Sequence, residues 1–379
     1  MILLSIPNIY SSAVEYHRLL IPFRNIANKI INGEIETVNE AYIKHYGINQ
    51  VWFNRNIAPN SLDADKMYRL FRKNGVKIIC DVDDYWNLPI GHTLRKPMVT
   101  MRLKQSYISQ MKYADAVVVT HSHLADMAIN ELGISSKRIY IAPNAIDPEE
   151  TQYRQEYEYN IDKIFWQGSV THHHDLKTIS KAVNDLNIKL YIGGYHPESY
   201  EDLTDYSKVD FEPSGHLFDD KPEVYALPLN QRYNFYPDHL KNKRYHWRET
   251  GKLFNRKQFI HHLPVDQYMS TYNGMGICLT PLERTKFNSC KSPLKMLEAG
   301  WAKKPVIVSG VMPYTLIAKD GDNCLTAYTP EAWKRAIDIM LKNPEYADDL
   351  RHNLHEDIKD NYLIDKVNKT RIEIIENLK

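Results

Sequence analysis

Phe287-Asn288-Ser289-Cys290-Lys291-Ser292-Pro293-Leu294-Lys295-Met296-Leu297-Glu298-Ala299-Gly300, followed at once by a short polar link and Pro305-Val306-Ile307-Val308-Ser309, reads as a polar turn, a helix and a buried strand. Ser292 is the expected N-cap, and Pro293 stands in the first turn, where a missing N–H is no loss. Such a helix start offers unpaired N–H groups and the positive end of the dipole to an anion such as a diphosphate, with the charges of Lys291 and Lys295 beside it. Glu298 lies too far into the helix to cap it. Near a strand's carboxyl end it could instead accept hydrogen bonds from a ribose; the plain alternative is a capped helix with a solvated acid.

Working outward, short β-rich runs alternate with helical stretches, the pattern of parallel sheets covered by helices on both faces. Expected pairs are helix Leu62 to Asn74 with strand Val76 to Val82, and helix Met101 to Tyr113 with strand Ala116 to Thr120; strand Arg138 to Ala142 follows. The acidic, Tyr-rich segment Glu149 to Asn160 separates this half from a second series. That series is strand Lys163 to Trp166, helix Asp175 to Leu186, strand Lys189 to Ile192, helix Val265 to Tyr272, strand Gly276 to Leu279, helix Pro293 to Trp301 and strand Pro305 to Ser309. Helices at Glu331 to Leu341 and Asn361 to Leu378 close the chain. The expectation is an α/β protein of two doubly wound domains, residues 1–158 plus the last helix, about 361–379, and residues 159–360 with an insertion at about 208–257.

Composition narrows the classes. The chain has 379 residues, enough for two domains, and 48 basic against 47 acidic side chains, so any charged partner must meet a local patch. No apolar run exceeds four residues, far short of the ~20 of a membrane-spanning helix. The apolar start Met1 to Ile6 has no basic flank, and four scattered cysteines suit neither a disulfide framework nor a zinc knuckle; a cytoplasmic location is expected, with peripheral contact at the inner membrane face left open. G-x-G-x-x-G, P-loop and G-x-S-x-G motifs do not occur.

The stretch Phe287 to Ser309, together with Pro143-Asn144-Ala145-Ile146-Asp147 and Trp166-Gln167-Gly168-Ser169, resembles the family 4 glycosyltransferases in order and spacing over most of the chain except roughly 208–256. The resemblance implies the GT-B fold, two Rossmann-like domains facing a cleft, and metal-independent transfer of a sugar from a nucleoside diphosphate sugar, UDP or GDP, to an acceptor hydroxyl with retention. No cofactor or metal is implied. Of the family's two donor-side glutamates, the second matches Glu298 as ribose ligand, whereas Cys290 stands at the first, leaving the sugar to Asn288, Ser289 or main-chain groups. Ser169 takes the place of the family's phosphate-binding Arg, and His172, His173, His174 and Asp175 stand where its Lys would follow. Diphosphate binding is therefore assigned to Lys291 with the Gly168-Ser169 turn, and Ser292, Lys295 and His174 complete the donor side. His262, Leu263 and Pro264 stand where the family holds the nucleobase.

Acceptor-side candidates come from the strand ends of the first half. Asp83 and Asp84, in Asp81-Val82-Asp83-Asp84, could bind or orient the acceptor hydroxyl, with Asp84 also a catalytic candidate beside Lys291 and Glu298; a capping acid or a Mg²⁺ motif are the alternatives. Ser11, Tyr16 and Arg18 follow the first strand, with an amphipathic helix as the plain alternative, and His121 stands at another strand end. The three adjacent histidines point in different directions and make a poor metal site.

Arg232 to Lys257 carries eight basic residues against two acidic ones, a local charge of +6, with Tyr233, Phe235, Tyr236, Tyr245 and Trp247 interleaved. Such a patch suits a glycolipid at a membrane surface or nucleic acid, as in bacteriophage DNA-modifying glycosyltransferases; a solvated loop or oligomer contact is the alternative. A glycan is the other acceptor class. An epimerase, a phosphorylase and a non-catalytic nucleotide-sugar-binding module remain open beside the transferase. Retention on anionic liposomes or on DNA that falls with salt is the expected result for an anion-binding patch, and binding to neither would remove both partners.

Overall fold

A computed structural model describes residues 2–6, 13–24, 26, 29–32, 35–58, 61–90, 92, 95, 99, 103–195, 249–261 and 263–378. Strands β1 (Ile2–Ile6), β2 (Lys29–Asn32), β3 (Gln50–Asn54), β4 (Lys77–Val82), β5 (Ala116–Val119) and β6 (Ile139–Ile141) form one sheet in the order β2-β1-β3-β4-β5-β6. Strands β7 (Ile164–Gln167), β8 (Leu190–Tyr195), β9 (Lys257–His261), β10 (Cys278–Thr280), β11 (Val306–Ser309) and β12 (Leu325–Ala327) form a second, in the order β12-β11-β10-β7-β8-β9. Every pairing is parallel. Counted from its own first strand, the second sheet runs 3-2-1-4-5-6. Its order reverses between β7 and β10, and ligands of such sheets bind in the crevice outside the carboxyl ends at that point.

The strands are apolar on both faces because helices cover both. In the first sheet Val51, Phe53, Ile78 and Cys80 face one buried cluster, and Trp52 and Ile79 the other. One face packs on α3 (Glu40–Tyr46), α4 (Ser61–Lys73), α5 (Leu103–Tyr113) and α6 (Ser122–Leu132). In the second, Trp166 faces α7 (His173–Asp185), while Phe165 and Val308 face the cluster that includes the helix at Leu294–Trp301.

The helix expected over Asn361 to Leu378 is found at Ile364–Asn377, and a further helix, Pro344–Asn361, precedes it. Helices at Pro344–Asn361 and Ile364–Asn377 meet at Tyr362-Leu363, where Ile146 N donates to Tyr362 O at 2.8 Å and Ile364 N to Ile146 O at 2.9 Å. Asn343-Pro344 both ends one helix and starts the next, since proline is suited to a first turn and unsuited to a helix interior. The last helix packs on the first sheet, with Val367 and Ile374 beside Trp52, and Gln50 Nε2 donates to Ile375 O at 2.8 Å. The helix expected over Val265 to Tyr272 is a five-residue 3₁₀ turn at Tyr268–Tyr272.

After β1 come α1 (Ala13–Glu15), a π-helical turn at Tyr16–Leu20 and α2 (Ile21–Phe23). The π turn buries Tyr16, His17, Arg18 and Leu19 in succession. The acceptor-side reading of Arg18 and Tyr16 is thereby corrected. Arg18 makes a two-pronged ion pair with Asp81 at 2.8 Å on each prong, and donates to Ala142 O at 2.8 Å and Asn144 Oδ1 at 3.1 Å. Tyr16 is buried, its hydroxyl accepting from Gln152 Nε2 at 2.9 Å. Ser11 lies outside the described residues.

Both partners of the Arg18–Asp81 pair are 1 % exposed, so removing one leaves a buried charge, a loss of about 3–5 kcal/mol. Asp81→Asn is expected to lose that much in urea unfolding, and the double change Arg18→Met with Asp81→Leu to lose less than Asp81→Asn alone; equal losses would show that the pair is not the unit.

Candidate active site

The crevice at the switch point of the second sheet begins where β7 ends. Gly168 turns the chain beneath the Trp166 ring; a Cβ there would lie 2.5 Å from that ring and 3.1 Å from Lys295 Cε. A 3₁₀ turn at Val170–His172 leads into α7 and delivers His172 to the crevice. Across from it stand α8 (Lys286–Ser289) and α9 (Leu294–Trp301), with Lys291 between them and Lys295 in the first turn of α9.

Lys291 Nζ and Lys295 Nζ lie 3.4 and 3.3 Å from His172 Nε2. The other ring nitrogen, Nδ1, is 2.7 Å from Asp175 Oδ2. Burial, and then the two lysine charges, push His172 down to about 3, so at neutral pH its ring is uncharged. Burial and the neighbouring Lys291 push Lys295 down to about 8. Burial works against the charge of Asp175, but the hydrogen bond and charge of His172, the charge of Lys291 and the hydrogen bond from Glu283 N together outweigh it and hold the carboxyl below its ordinary value. Among the described residues neither lysine has a carboxylate within ion-pair distance. The two lysine charges thus meet at one neutral imidazole with the Asp175 carboxylate behind it, an arrangement that leaves both ammonium groups open to a small polyanion.

Several expected donor groups have other work. Ser292 does not cap α9: Pro293 occupies that position without a side-chain cap, and Ser292 Oγ accepts from Asn144 Nδ2 at 2.7 Å. Asn288 Nδ2 donates to Asp175 Oδ1 at 2.7 Å and Glu283 O at 2.9 Å. Ser289 Oγ donates to Lys286 O at 2.8 Å and lies 3.0 Å from His123 Nε2. Cys290 is fully buried in the same cluster as Phe287, Trp86 and Leu124, and burial pushes its thiol up to about 11. Ser169 Oγ pairs with Thr171 Oγ1 at 2.6 Å.

The three histidines diverge as expected: His172 to Asp175, His173 to Thr250 at 2.9 Å, and His174 with a buried Nε2 that has no hydrogen-bond partner. Leu263 is buried, Pro264 is exposed, and His262 lies outside the described residues. Most of the basic cluster also lies outside them; of its described members, Lys252 pairs with Glu249, Arg256 donates to Asn187 O, and Lys257 to Phe254 O.

Glu298 is 3 % exposed, and burial lifts its carboxyl well above the ordinary value. Tyr272 OH donates to Oε2 at 3.3 Å, and His17 Nε2 stands 3.8 Å from Oε1, with Tyr268 OH 3.4 Å beyond. An open carboxylate on a helix face was expected; the π turn covers it instead.

On the first sheet, Asp83 and Asp84 are joined by Arg55, whose Nε lies 2.8 Å from Asp83 Oδ1 and whose Nη2 lies 3.0 Å from Asp84 Oδ2. Desolvation opposes the charge of Arg55, but the two aspartates outweigh it. The Asp84 charge is felt by Lys295, His121 and Cys290, which places it on the shared crevice. His121 is not free to meet an acceptor. Its Nδ1 caps α6 by accepting from Leu124 N at 3.3 Å, and its Nε2 donates to Lys291 O at 2.9 Å. The sequence placed His172 and Asp175 only where the family's Lys would follow and gave them no role of their own, and His17 and Arg55 had none; the His-x-x-Asp spacing at a helix start was the available signal for the first two.

No family model and no curated protein matches the sequence. Solved structures do. A glycosyltransferase from Rickettsia africae superposes with a TM-score of 0.62 at 12% identity, over 100% of this chain and 98% of that one. Alr3699/HepE of Anabaena, in complex with UDP, gives 0.59 at 11% over 99% of both chains. A sucrose-phosphate synthase from Thermosynechococcus elongatus gives 0.58 at 14%, over 89% of this chain and 76% of that one. These similarities establish the GT-B architecture of two parallel sheets with flanking helices.

Gly168→Ala forces a methyl into the Trp166 ring and is expected to cost about 1–3 kcal/mol in urea unfolding, with a changed near-ultraviolet tryptophan signal. Unchanged stability and signal would contradict the packing described.

Proposed function

We propose that this chain is a glycosyltransferase that transfers a sugar from a nucleoside diphosphate sugar to an acceptor hydroxyl with retention, in a family 4-like manner and with UDP as the first donor base to test. The observation that carries this reading is the convergence of Lys291 and Lys295 on one neutral imidazole at the switch point. The Anabaena structures titled as complexes with UDP and with UDP-glucose support the choice of base.

In this reading the two ammonium groups and the Gly168 turn hold the diphosphate and stabilise the charge that grows on it as the glycosidic bond breaks. Glu298, its carboxyl pushed toward the neutral form by burial, meets a ribose diol, which reaches it once His17 is displaced. Asp84, fixed by Arg55, orients the acceptor hydroxyl. Leu263 and Pro264 flank the base. The chain divides at residue 158, with its last helix returned to the first domain. Among the described residues no helix is long and apolar enough to cross a membrane; the acceptor reading therefore stays with a soluble glycan or a glycolipid met at a surface.

One observation favours a second reading. Cys290 takes no part in the crevice, being fully buried, so the position that resembles the family's first glutamate supplies no charge to the sugar. A nucleotide-sugar-binding module would bind donor without turning it over. Release of UDP from UDP-sugars with and without glycan acceptors separates the two: turnover supports the transferase, and tight binding without turnover supports the module.

Lys295, with its proton lost near pH 8, sets the pH dependence of donor binding. Its ammonium form, present below that pH, favours the anion; the neutral amine above it does not. UDP affinity by calorimetry is expected to fall about tenfold from pH 7 to pH 9. Lys295→Met is expected to flatten this profile, weaken binding at pH 7 by at least about tenfold, and leave the melting temperature unchanged or raised, since a partly buried charge has gone. A retained pH dependence in Lys295→Met would assign the titration elsewhere.

A further inference from the structure

The geometry points to His172 and Asp175 as a positioning pair that fixes the proton on His172 Nδ1 and so makes Nε2 a permanent acceptor for both lysines. This inference rests on the diphosphate reading for its purpose, though not for its geometry.

Asp175 uses both oxygens. Oδ2 faces His172 Nδ1 at 2.7 Å, and Oδ1 accepts from Glu283 N at 2.8 Å and Asn288 Nδ2 at 2.7 Å. An ionised carboxylate only accepts, so Nδ1 must carry the proton. A lysine ammonium only donates, so Nε2, at 3.3 to 3.4 Å from two of them, must present its lone pair. The two requirements agree on one tautomer, the one that free imidazole side chains in water disfavour. Asp175 imposes it.

The consequence reaches both lysines. Each spends one N–H on His172 and keeps two to offer a ligand, and two long, flexible side chains are aimed at one place. Asp175 also ties the loop that carries Lys291 to the first turn of α7, through Glu283 and Asn288, so the same carboxylate sets the backbone and the side chains of the crevice. The sequence positions that follow Gly168 lack a cation, and a neutral acceptor that gathers cations from the facing helix takes its place.

Asp175→Asn tests the claim sharply. Oδ1 serves two donors, so the new NH₂ group must replace Oδ2 and face His172 Nδ1. That nitrogen then accepts, the proton moves to Nε2, and an N–H points at two ammonium groups. In protein with ¹⁵N-labelled histidine and no added nucleotide, long-range ¹H–¹⁵N correlation should show His172, assigned through His172→Gln, protonated on Nδ1 alone, and protonated on Nε2 in Asp175→Asn. UDP affinity should fall at least about tenfold in Asp175→Asn and in His172→Leu, and His172→Gln, whose amide oxygen can stand in for Nε2, should retain most of it. A wild-type His172 protonated on Nε2, or full UDP affinity in His172→Leu, would overturn the proposal. The expected tautomer in a wild-type protein that binds neither UDP, GDP nor ADP would support the pair's hold on the lysines and overturn the diphosphate reading instead.

Discussion

Two partly buried ammonium groups at the head of the second sheet share a single imidazole nitrogen, and much of the crevice is arranged around that arrangement. Two positive charges that lie 3.4 and 3.3 Å from the same nitrogen repel by at least ~2 kcal/mol at an effective dielectric constant near 20. The fold offsets part of this with a neutral acceptor between them and the carboxylate of Asp175 behind it. What remains is the positive charge on which the proposed diphosphate binding rests. Burial first, and the charge of Lys291 after it, hold the Lys295 ammonium below its ordinary value.

The second organising element is the path that joins the two sheets. Asp81 holds Arg18, Arg18 holds Asn144, and Asn144 donates to Ser292 at the mouth of α9. A few ångströms away His121 reaches the carbonyl of Lys291, and Phe287 and Cys290 enter the buried cluster of the first sheet. The loop that carries Lys291 is thus held from both sides, by α7 through Asp175 and by the first sheet through His121 and Asn144. The residues expected to meet an acceptor, Arg18, Tyr16 and His121, are held in buried contacts instead, and Asp83 and Asp84 are paired with Arg55.

The strands were legible because a sheet covered on both faces writes itself as short apolar runs: Val76 to Val82, Ala116 to Thr120 and Pro305 to Ser309 each contain their observed strand. The glycine turn at Gly168 and the two lysines were legible from motif and spacing. Other features were not, for physical reasons. A π turn has no simple periodicity, so the stretch Ser11 to Arg18 read either as acceptor-side contacts or as an amphipathic helix, and neither reading showed the burial of His17 and Arg18. Ser292 has the chemistry of a cap, and only the neighbouring Asn144 decides that it is used otherwise. His172 is one of three adjacent histidines, and what distinguishes it, two lysines over a hundred residues away, is a product of the fold alone.

The central claim is that the crevice is built for two linked phosphates. Calorimetric titration at pH 7 with UDP, UMP and uridine tests it most directly. The account predicts that UDP binds at least about tenfold more tightly than UMP, with uridine weakest. Equal affinity for UDP and UMP, or binding of none of the three together with none of the guanosine or adenosine diphosphates, would contradict it.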